Sequence, residues 1–280
     1  MPGLEQLKAE IKDEETLYDL ASAFTEVSAA KIGVLKQKFE ENQKFFQEIS
    51  DLYRLVKASS NPPTTASRGV LSVAITTNNR FYGVINLEVM KKFLSETKDQ
   101  DLKRMVVGKI GIGYLQSIGF KSEVEKMILK KDVPKIEDLE KLLQMAKAHQ
   151  KVLLFYPQFR TIYTQIPVVT DIAYSPTESA SGGPTAQQTM AQEQHFIFEP
   201  ELSKIVEFFE TQIRTILLQR VLLEVELSVT ASRLQAMSRA KEHAREVLTQ
   251  RKQQLTKKMH SQINARLLES LGRVKSHGIN

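Results

Sequence analysis

From Glu201 to Leu271 the chain contains neither glycine nor proline, the two residues that most readily break a helix. At about 1.5 Å per residue, an unbroken helix of that run is roughly 105 Å long. That exceeds the width of a compact domain of this size, so the helix must project, pair with another helix or sit inside a partner. Its surface carries a seam. Leu227, Thr230, Leu234, Met237, Lys241, Ala244, Leu248, Arg251, Leu255 and Lys258 recur in alternating steps of three and four, the spacing of a coiled coil. The seam is apolar at first and weakens as Lys and Arg take core places. It fits a frayed, partly solvated coiled coil, or a shaft whose far end is held loosely by other chains.

The opposite end is similar. Leu4 to Ser60 holds one glycine, Gly33, and no proline. Leu7, Ile11, Leu17, Leu20, Phe24, Val27 and Val34 step at helical spacing, with Lys31 breaking the seam. This predicts a second long helix, roughly 85 Å if continuous. Two long amphipathic helices, one at each end, suggest an antiparallel pair, with the middle of the chain inserted between them.

The insertion opens with a linker, Ser59 to Gly69, rich in hydroxyl residues and proline. Val70 to Ile75 reads as a buried strand. Phe81 to Thr97 has helical spacing, Met105 to Ile112 is strand-like, and Ile136 to His149 is a helix. Lys151 to Tyr156 reads as a strand, and Arg160 to Tyr174 is rich in β-branched residues. Strands alternating with helices predict a small α/β domain with a mostly parallel sheet. Ser175 to Gln194 is poor in large apolar residues and reads as a mobile loop. His195 to Phe198 reads as a short strand or turn. Glu199-Pro200 opens the long helix, since proline suits a first helical turn.

The totals exclude several functions. The 280 residues include no cysteine, which rules out disulfides, thiol catalysis and cysteine-ligated metal, and fits a reducing compartment. No apolar run precedes a cleavage site near the start, and Leu4 to Glu15 mixes charges, so neither a signal nor a transit peptide is expected. The most apolar helical window, Ile213 to Val229, is interrupted by Arg214, Arg220, Glu224 and Glu226, so no membrane span is expected. The net charge of +6 is a mild excess that names no partner.

Catalytic patterns are scarce. Gly108-Lys109-Ile110-Gly111-Ile112-Gly113 has Gln116 where a dinucleotide fingerprint needs glycine, so it reads as a strand-to-helix turn. The histidines (His149, His195, His243, His260 and His277) lack metal-ligand spacing. The carboxylates between Lys135 and Lys141 suit a solvated helix face. Arg251, Lys252, Lys257 and Lys258 lack the interleaved aromatics of a single-strand binder. No catalytic, cofactor-binding or metal-binding residue is assigned, and no nucleic-acid partner is expected.

Several local patterns, in order along essentially the whole chain, resemble the gamma subunit of F-type ATP synthases. Ile11 to Ile32 (IKDEETLYDLASAFTEVSAAKI) is similar to the family's opening helix. Ala23, Val27 and Lys31 match its Ala-Met-x-x-Val-Ala-x-x-Lys pattern, with Phe24 at the Met place and Ser28 at the second Ala. In Thr76 to Asn86 (TTNNRFYGVIN), Thr76, Gly83 and Asn86 match the segment Thr-Ser-Asp-Arg-Gly-Leu-Cys-Gly-x-x-Asn. Tyr156, Phe159 and Pro167 fall at a family spacing, and Phe196 to Pro200 (FIFEP) resembles the entry to the last helix. Met237 aligns with the Met opening the final shaft segment, and Ile263 and Leu267 match apolar positions of its last turns. Met259, Asn264 and Ala265 depart from the usual residues.

The resemblance implies an α/β fold with dominant long helices: an antiparallel coiled coil of N- and C-terminal helices with an inserted Rossmann-like α/β domain. The expected division is a shaft helix over 1–60, the inserted domain over 68–198 with its loop at 175–194, and a second shaft helix and tail over 199–280. It further implies a non-catalytic central-stalk rotor, peripheral to the membrane on the cytoplasmic face of the bacterial plasma membrane. That rotor couples ATP synthesis or hydrolysis in a hexameric head to ion transport through a membrane ring. The implied partners are the alpha and beta ATPase subunits, an epsilon-type subunit and the membrane c-ring. Head contacts are expected at Phe24, Lys31, Met237, Lys258, Met259 and Ile263, and ring or epsilon contacts at Phe198 and Glu199. The rival is a non-rotary coiled-coil scaffold or adaptor with an α/β interaction domain. It predicts self-association through the Leu227 to Leu255 seam.

Overall fold

The computed structural model describes residues 3–58, 69–98, 102–134, 140, 143–144, 149, 151–172 and 202–277. Two long helices dominate: α1 (Leu4–Ala58) and α4 (Leu202–His277). Between them lie β1 (Val70–Ile75), α2 (Ile85–Thr97), β2 (Lys103–Val107), α3 (Lys109–Ser117), β3 (Glu125–Met127), β4 (Lys151–Phe159) and β5 (Gln165–Asp171). Most of the helix expected at Ile136 to His149, the loop at 175–194, and Phe198 and Glu199 lie outside the described residues.

The chain divides into two compact units, Met1–Ala29 with Arg233–Asn280, and Ala30–Ser232. In the second, five strands form one sheet in the order β3-β2-β1-β4-β5. The first four are parallel, and β5 runs antiparallel to β4. Parallel strands need crossovers, and these put helices on the sheet. On one face Leu71, Val73 and Ile75 of β1 and Leu154 of β4 pack with Leu218, Leu222 and Val225 of α4. On the other, Ala74, Val106 and Phe155 pack with Val89, Met90 and Phe93 of α2 and Leu115 of α3. The alternation along β1 is the period-two signature of a strand covered on both faces. The apolar stretch from Ile213 to Val229 is buried nearly all round, as a helix enclosed within a core must be.

Four sequence expectations are corrected. The strand expected over Met105 to Ile112 ends at Val107, because Gly108 adopts φ 95° and α3 starts at Lys109. The helix expected from Phe81 begins only at Ile85, since Phe81 and Gly83 take left-handed φ values of 72° and 60°. The strand expected to end at Tyr156 continues through Pro157 to Phe159. Pro157 faces Pro167 across β4 and β5, so neither proline withholds a donor that the other strand could use.

The fourth correction concerns α1. Its buried residues include Leu7, Ile11, Ala21 and Ser28 in the first unit and Ile32 and Leu35 in the second, whereas Leu17, Leu20, Val27 and Val34 are exposed. The expected stripe holds at Leu7 and Ile11; from Leu17 onward the real one keeps helical spacing but is rotated by roughly 100°. Tertiary pairing chose the stripe with small and polar members, and left large apolar side chains outside.

Candidate functional site

In the first unit, α1 and α4 pair through side chains that read in opposite order along the two helices. Glu10 meets Arg251 at 3.4 Å and Glu15 meets Lys252 at 2.8 Å. Lys241 Nζ stands 5.5 Å from the centre of the Tyr18 ring, and the Arg233 guanidinium stands 5.3 Å from that of Phe24. The pairing is therefore antiparallel. Ala244 and Leu248 are buried, and the seam residues Met237, Lys241, Arg251, Leu255 and Lys258 are half-buried among exposed neighbours. Of the seam cations, Lys241 sends its head to the Tyr18 ring and Arg251 to the Glu10 carboxylate, both on α1.

Beyond this pairing the first unit keeps two uncovered apolar stripes. Leu17, Leu20 and Val27 (62 % exposed) line one face of α1. Met259, Ile263, Leu267 and Leu271 follow at four-residue steps on α4, with Leu268 (70 % exposed) beside them. Of the expected head contacts, Met259 and Ile263 are thus on a bare stripe. Met237 and Lys258 lie half-buried in the seam, and Phe24 stacks within the chain.

Lys31 is in the second unit. Its Nζ lies 2.6 Å from Oε1 of Glu226, whose residue is only 5 % exposed. Arg220, two turns earlier on α4, sits 5.8 Å from the Phe39 ring and 5.7 Å from the Phe46 ring. Lys31→Ala removes the cation seated on a buried carboxylate. We expect a loss of about 1–2 kcal/mol, less than for a fully buried pair because the lysine is half in water. Urea denaturation measures it. Adding Glu226→Gln should restore part of the loss, because less charge is then buried.

Sequence reasoning gave no role to a buried polar contact between β4 and α4. Tyr156 Oη donates to Glu224 Oε2 at 3.2 Å. Burial pushes the Glu224 carboxyl up, with Arg220 opposing the rise, and burial together with the Glu224 charge pushes the Tyr156 phenol up to about 12. The folded chain therefore holds the Tyr156 proton more tightly than the unfolded chain does. The stability this gives is complete below pH 10 and is lost as the pH rises from 10 toward 12. The loss is on the order of 2–3 kcal/mol. Alkaline melts of wild type and Tyr156→Phe should diverge across that window, with the variant showing the shallower decline.

The glycine-rich turn is closed from within. Thr76 Oγ1 donates to the Val107 carbonyl at 2.6 Å and accepts from Gly111 N at 3.0 Å. Lys109 N donates to Asn78 Oδ1 at 3.2 Å and Ile110 N to the Thr77 carbonyl at 3.0 Å. The first amides of α3, which could otherwise take a phosphate, are spoken for. Asn86 locks the other side, donating to Thr77 Oγ1 at 2.9 Å and accepting from Thr77 N at 3.3 Å. Thr76 and Asn86, two of the family-matching residues, are thus anchors of a turn. Among the described residues no three His, Asp or Glu side chains converge, and no helix is long and apolar enough to cross a membrane.

Comparison with known proteins adds to this geometry. A family model described as ATP synthase matches residues 3–272. The chain is 25% identical to the ATP synthase gamma chain of Heliobacterium modesticaldum over 265 residues, 89% of this chain and 90% of the relative. It is 26% identical to that of Dictyoglomus thermophilum over 291 residues, 96% of each. Among solved structures it resembles a chain of the Tetrahymena thermophila mitochondrial ATP synthase central stalk and c-ring. That match has a TM-score of 0.56 at 18% identity, over 79% of this chain and 99% of the other. A chain of the Euglena gracilis mitochondrial ATP synthase gives 0.56 at 17% identity, over 89% and 95%. With the family match running from the first turn of α1 into the last turns of α4, the chain belongs to the ATP synthase family, among its gamma chains.

Proposed function

We propose that the chain is the central-stalk rotor of an ion-translocating ATP synthase. On this reading residues 1–60 and 199–280 form the shaft, and residues 68–198 form the α/β domain at the ring end. The shaft enters a hexameric head of alpha and beta ATPase subunits. The α/β domain, with Phe198 and Glu199, meets an epsilon-type subunit and the membrane c-ring at the cytoplasmic face of the bacterial plasma membrane. Nucleotide is bound and turned over by the partners, and this chain supplies asymmetry and rotation. The observation that carries the reading is the family match over residues 3–272. The bare stripes on α1 and α4 support the head contacts, because apolar side chains uncovered within a chain mark surfaces for other chains. The weak seam between them also suits a shaft that must slip within its sleeve.

Native mass spectrometry of a tagged chain, released with its membranes, tests this. One copy with three pairs of ATPase-type subunits and a ring of small membrane subunits supports the rotor. A homodimer without ATPase partners overturns it in favour of a coiled-coil scaffold. The head-contact assignments have their own test. Unchanged coupled ATPase activity after Lys31→Ala with Lys258→Ala would count against them.

A further inference from the structure

In the second unit, the enclosed stretch of α4 carries a polar residue at every second position: Glu224, Glu226, Ser228, Thr230 and Ser232, each at most 9 % exposed. Burying such groups costs free energy unless they are bonded. Three of them bond to three different elements. Glu224 accepts from Tyr156 Oη of β4 at 3.2 Å, and also from the Gln158 side chain and the Phe159 amide. Glu226 holds Lys31 of α1 at 2.6 Å. Ser232 Oγ donates to the Tyr82 carbonyl of the β1–α2 loop at 2.7 Å. Two of the partners are themselves tied down. Tyr156 Oη lies 3.3 Å from Thr170 Oγ1 of β5, and the Tyr82 hydroxyl donates to Asp132 Oδ2.

These bonds leave the helix in different directions. At about 100° per residue, Glu224 and Ser232 are roughly 80° apart around the axis, and Ser232 and Glu226 roughly 120°. Apolar burial is non-directional and follows area, so it keeps α4 in the core but does little to fix its rotation. A hydrogen bond is stricter. At about 5 Å from the axis, a turn of about 20° moves a side-chain oxygen by about 2 Å, out of bonding range. Such a turn would break all three contacts together.

Given the rotor reading, we propose that Glu224, Glu226 and Ser232 are positioning residues that form a torque-bearing clamp. They fix the rotation of α4 against β4, α1 and the β1–α2 loop, so a turn applied further along α4 moves the α/β domain with little slack. The helix runs unbroken from Leu202 to His277, so a turn beyond the clamp arrives at it. The chemistry suits a load better than it suits stability. Buried charges can often be exchanged for apolar residues of similar volume with no loss of stability, or with a gain. What such an exchange removes is direction.

The test exchanges the clamp for apolar groups: Glu224→Met, Glu226→Met and Ser232→Ala together. The purified assembly is held by its head, without nucleotide, and a bead is fixed to exposed Ser95 of α2 through Ser95→Cys. The chain has no other cysteine, so the thiol is unique in it. The angular spread of the bead is read. Hydrogen bonds tolerate displacements of about 0.5 Å and apolar contacts about 1 Å, so the spread should widen by up to about twofold. Thermal melting should stay near that of the parent chain. Glu224→Gln with Glu226→Gln keeps both acceptors and should keep the narrow spread. A merely structural role would instead shift melting and leave the spread alone. If the triple variant assembles with an unchanged spread, the clamp is overturned and the rotor stands. If the parent chain forms no assembly with ATPase subunits, the rotor reading and the clamp fall together. Should the triple variant fail to assemble, Tyr156→Phe with Ser232→Ala opens two of the bonds, leaves both carboxylates in place and is judged by the same spread.

Discussion

Gly108→Ala should cost the folded chain about 3–5 kcal/mol, a large share of the roughly 5–15 kcal/mol by which folded domains are stable. Two terms add. The residue sits at φ 95°, where an L side chain is strained by about 1–3 kcal/mol. A Cβ there would also stand 2.7 Å from both the carbonyl carbon and Oγ1 of Thr76, and closer still to the Thr76 oxygen. That backbone cannot retreat, because Thr76 N and Oγ1 are both bonded to the Val107 carbonyl, at 2.9 and 2.6 Å. Gly113→Ala is the matched control. Its Cβ meets nothing within 4 Å, and alanine inside a helix gains up to about 1 kcal/mol over glycine. Guanidinium melts of the two variants should therefore move in opposite directions.

Phe93→Ala is the second large effect, at about 3–5 kcal/mol. Phe93 is fully buried on α2, and its ring meets Phe155 of β4 edge-on at 5.3 Å and 81°. Truncation opens a cavity among Val89, Met90, Val106 and Leu115, and close-packed strands and helices relax into such a void only in part. Phe93→Leu should lose a smaller share, about 1–2 kcal/mol, since most of the volume stays. The two variants differ in size at one site, so the ratio of their losses reports how rigidly α2 is held to the sheet. If the α/β domain works at the ring end, Phe93→Ala should reduce ion-coupled synthesis before it reduces ATP hydrolysis by the head.

The long helices, β1, the α4 seam and the parallel character of the sheet were all legible in the chain, because each rests on a repeated local pattern. The α4 seam was legible even where Lys241 and Arg251 interrupt it, since spacing survives such exchanges. The facing stripe on α1 was not. Two stripes of equal periodicity compete there, and the apolar one, with Leu17, Leu20 and Val27, points outward while Ala21 and Ser28 take the contact. Periodicity marks that a face exists, but the neighbour decides which face is used. The three residues of β3, Glu125–Met127, are too few to carry a period. The site was harder still. Lys31 and Phe24 stood out in the sequence, and in the fold they engage Glu226 and Arg233 of the same chain. The contacts of Asn78, Tyr156 and Glu224 were not legible, because their partners lie far along the sequence, at separations no local window spans.

The leucines at the end of α4 have a consequence for how such a chain is made. Met259, Ile263, Leu267, Leu268 and Leu271 stay wet after folding is complete, so folding alone does not protect the molecule. A ribosome releasing this chain ahead of its companions releases something sticky, and the same stripe on a second copy is the nearest cover. Yield of dispersed protein should then depend on supplying the companion subunits in step with synthesis. A surplus of this chain alone should be lost to clumping or to proteases, so its cellular abundance follows that of whatever encloses it.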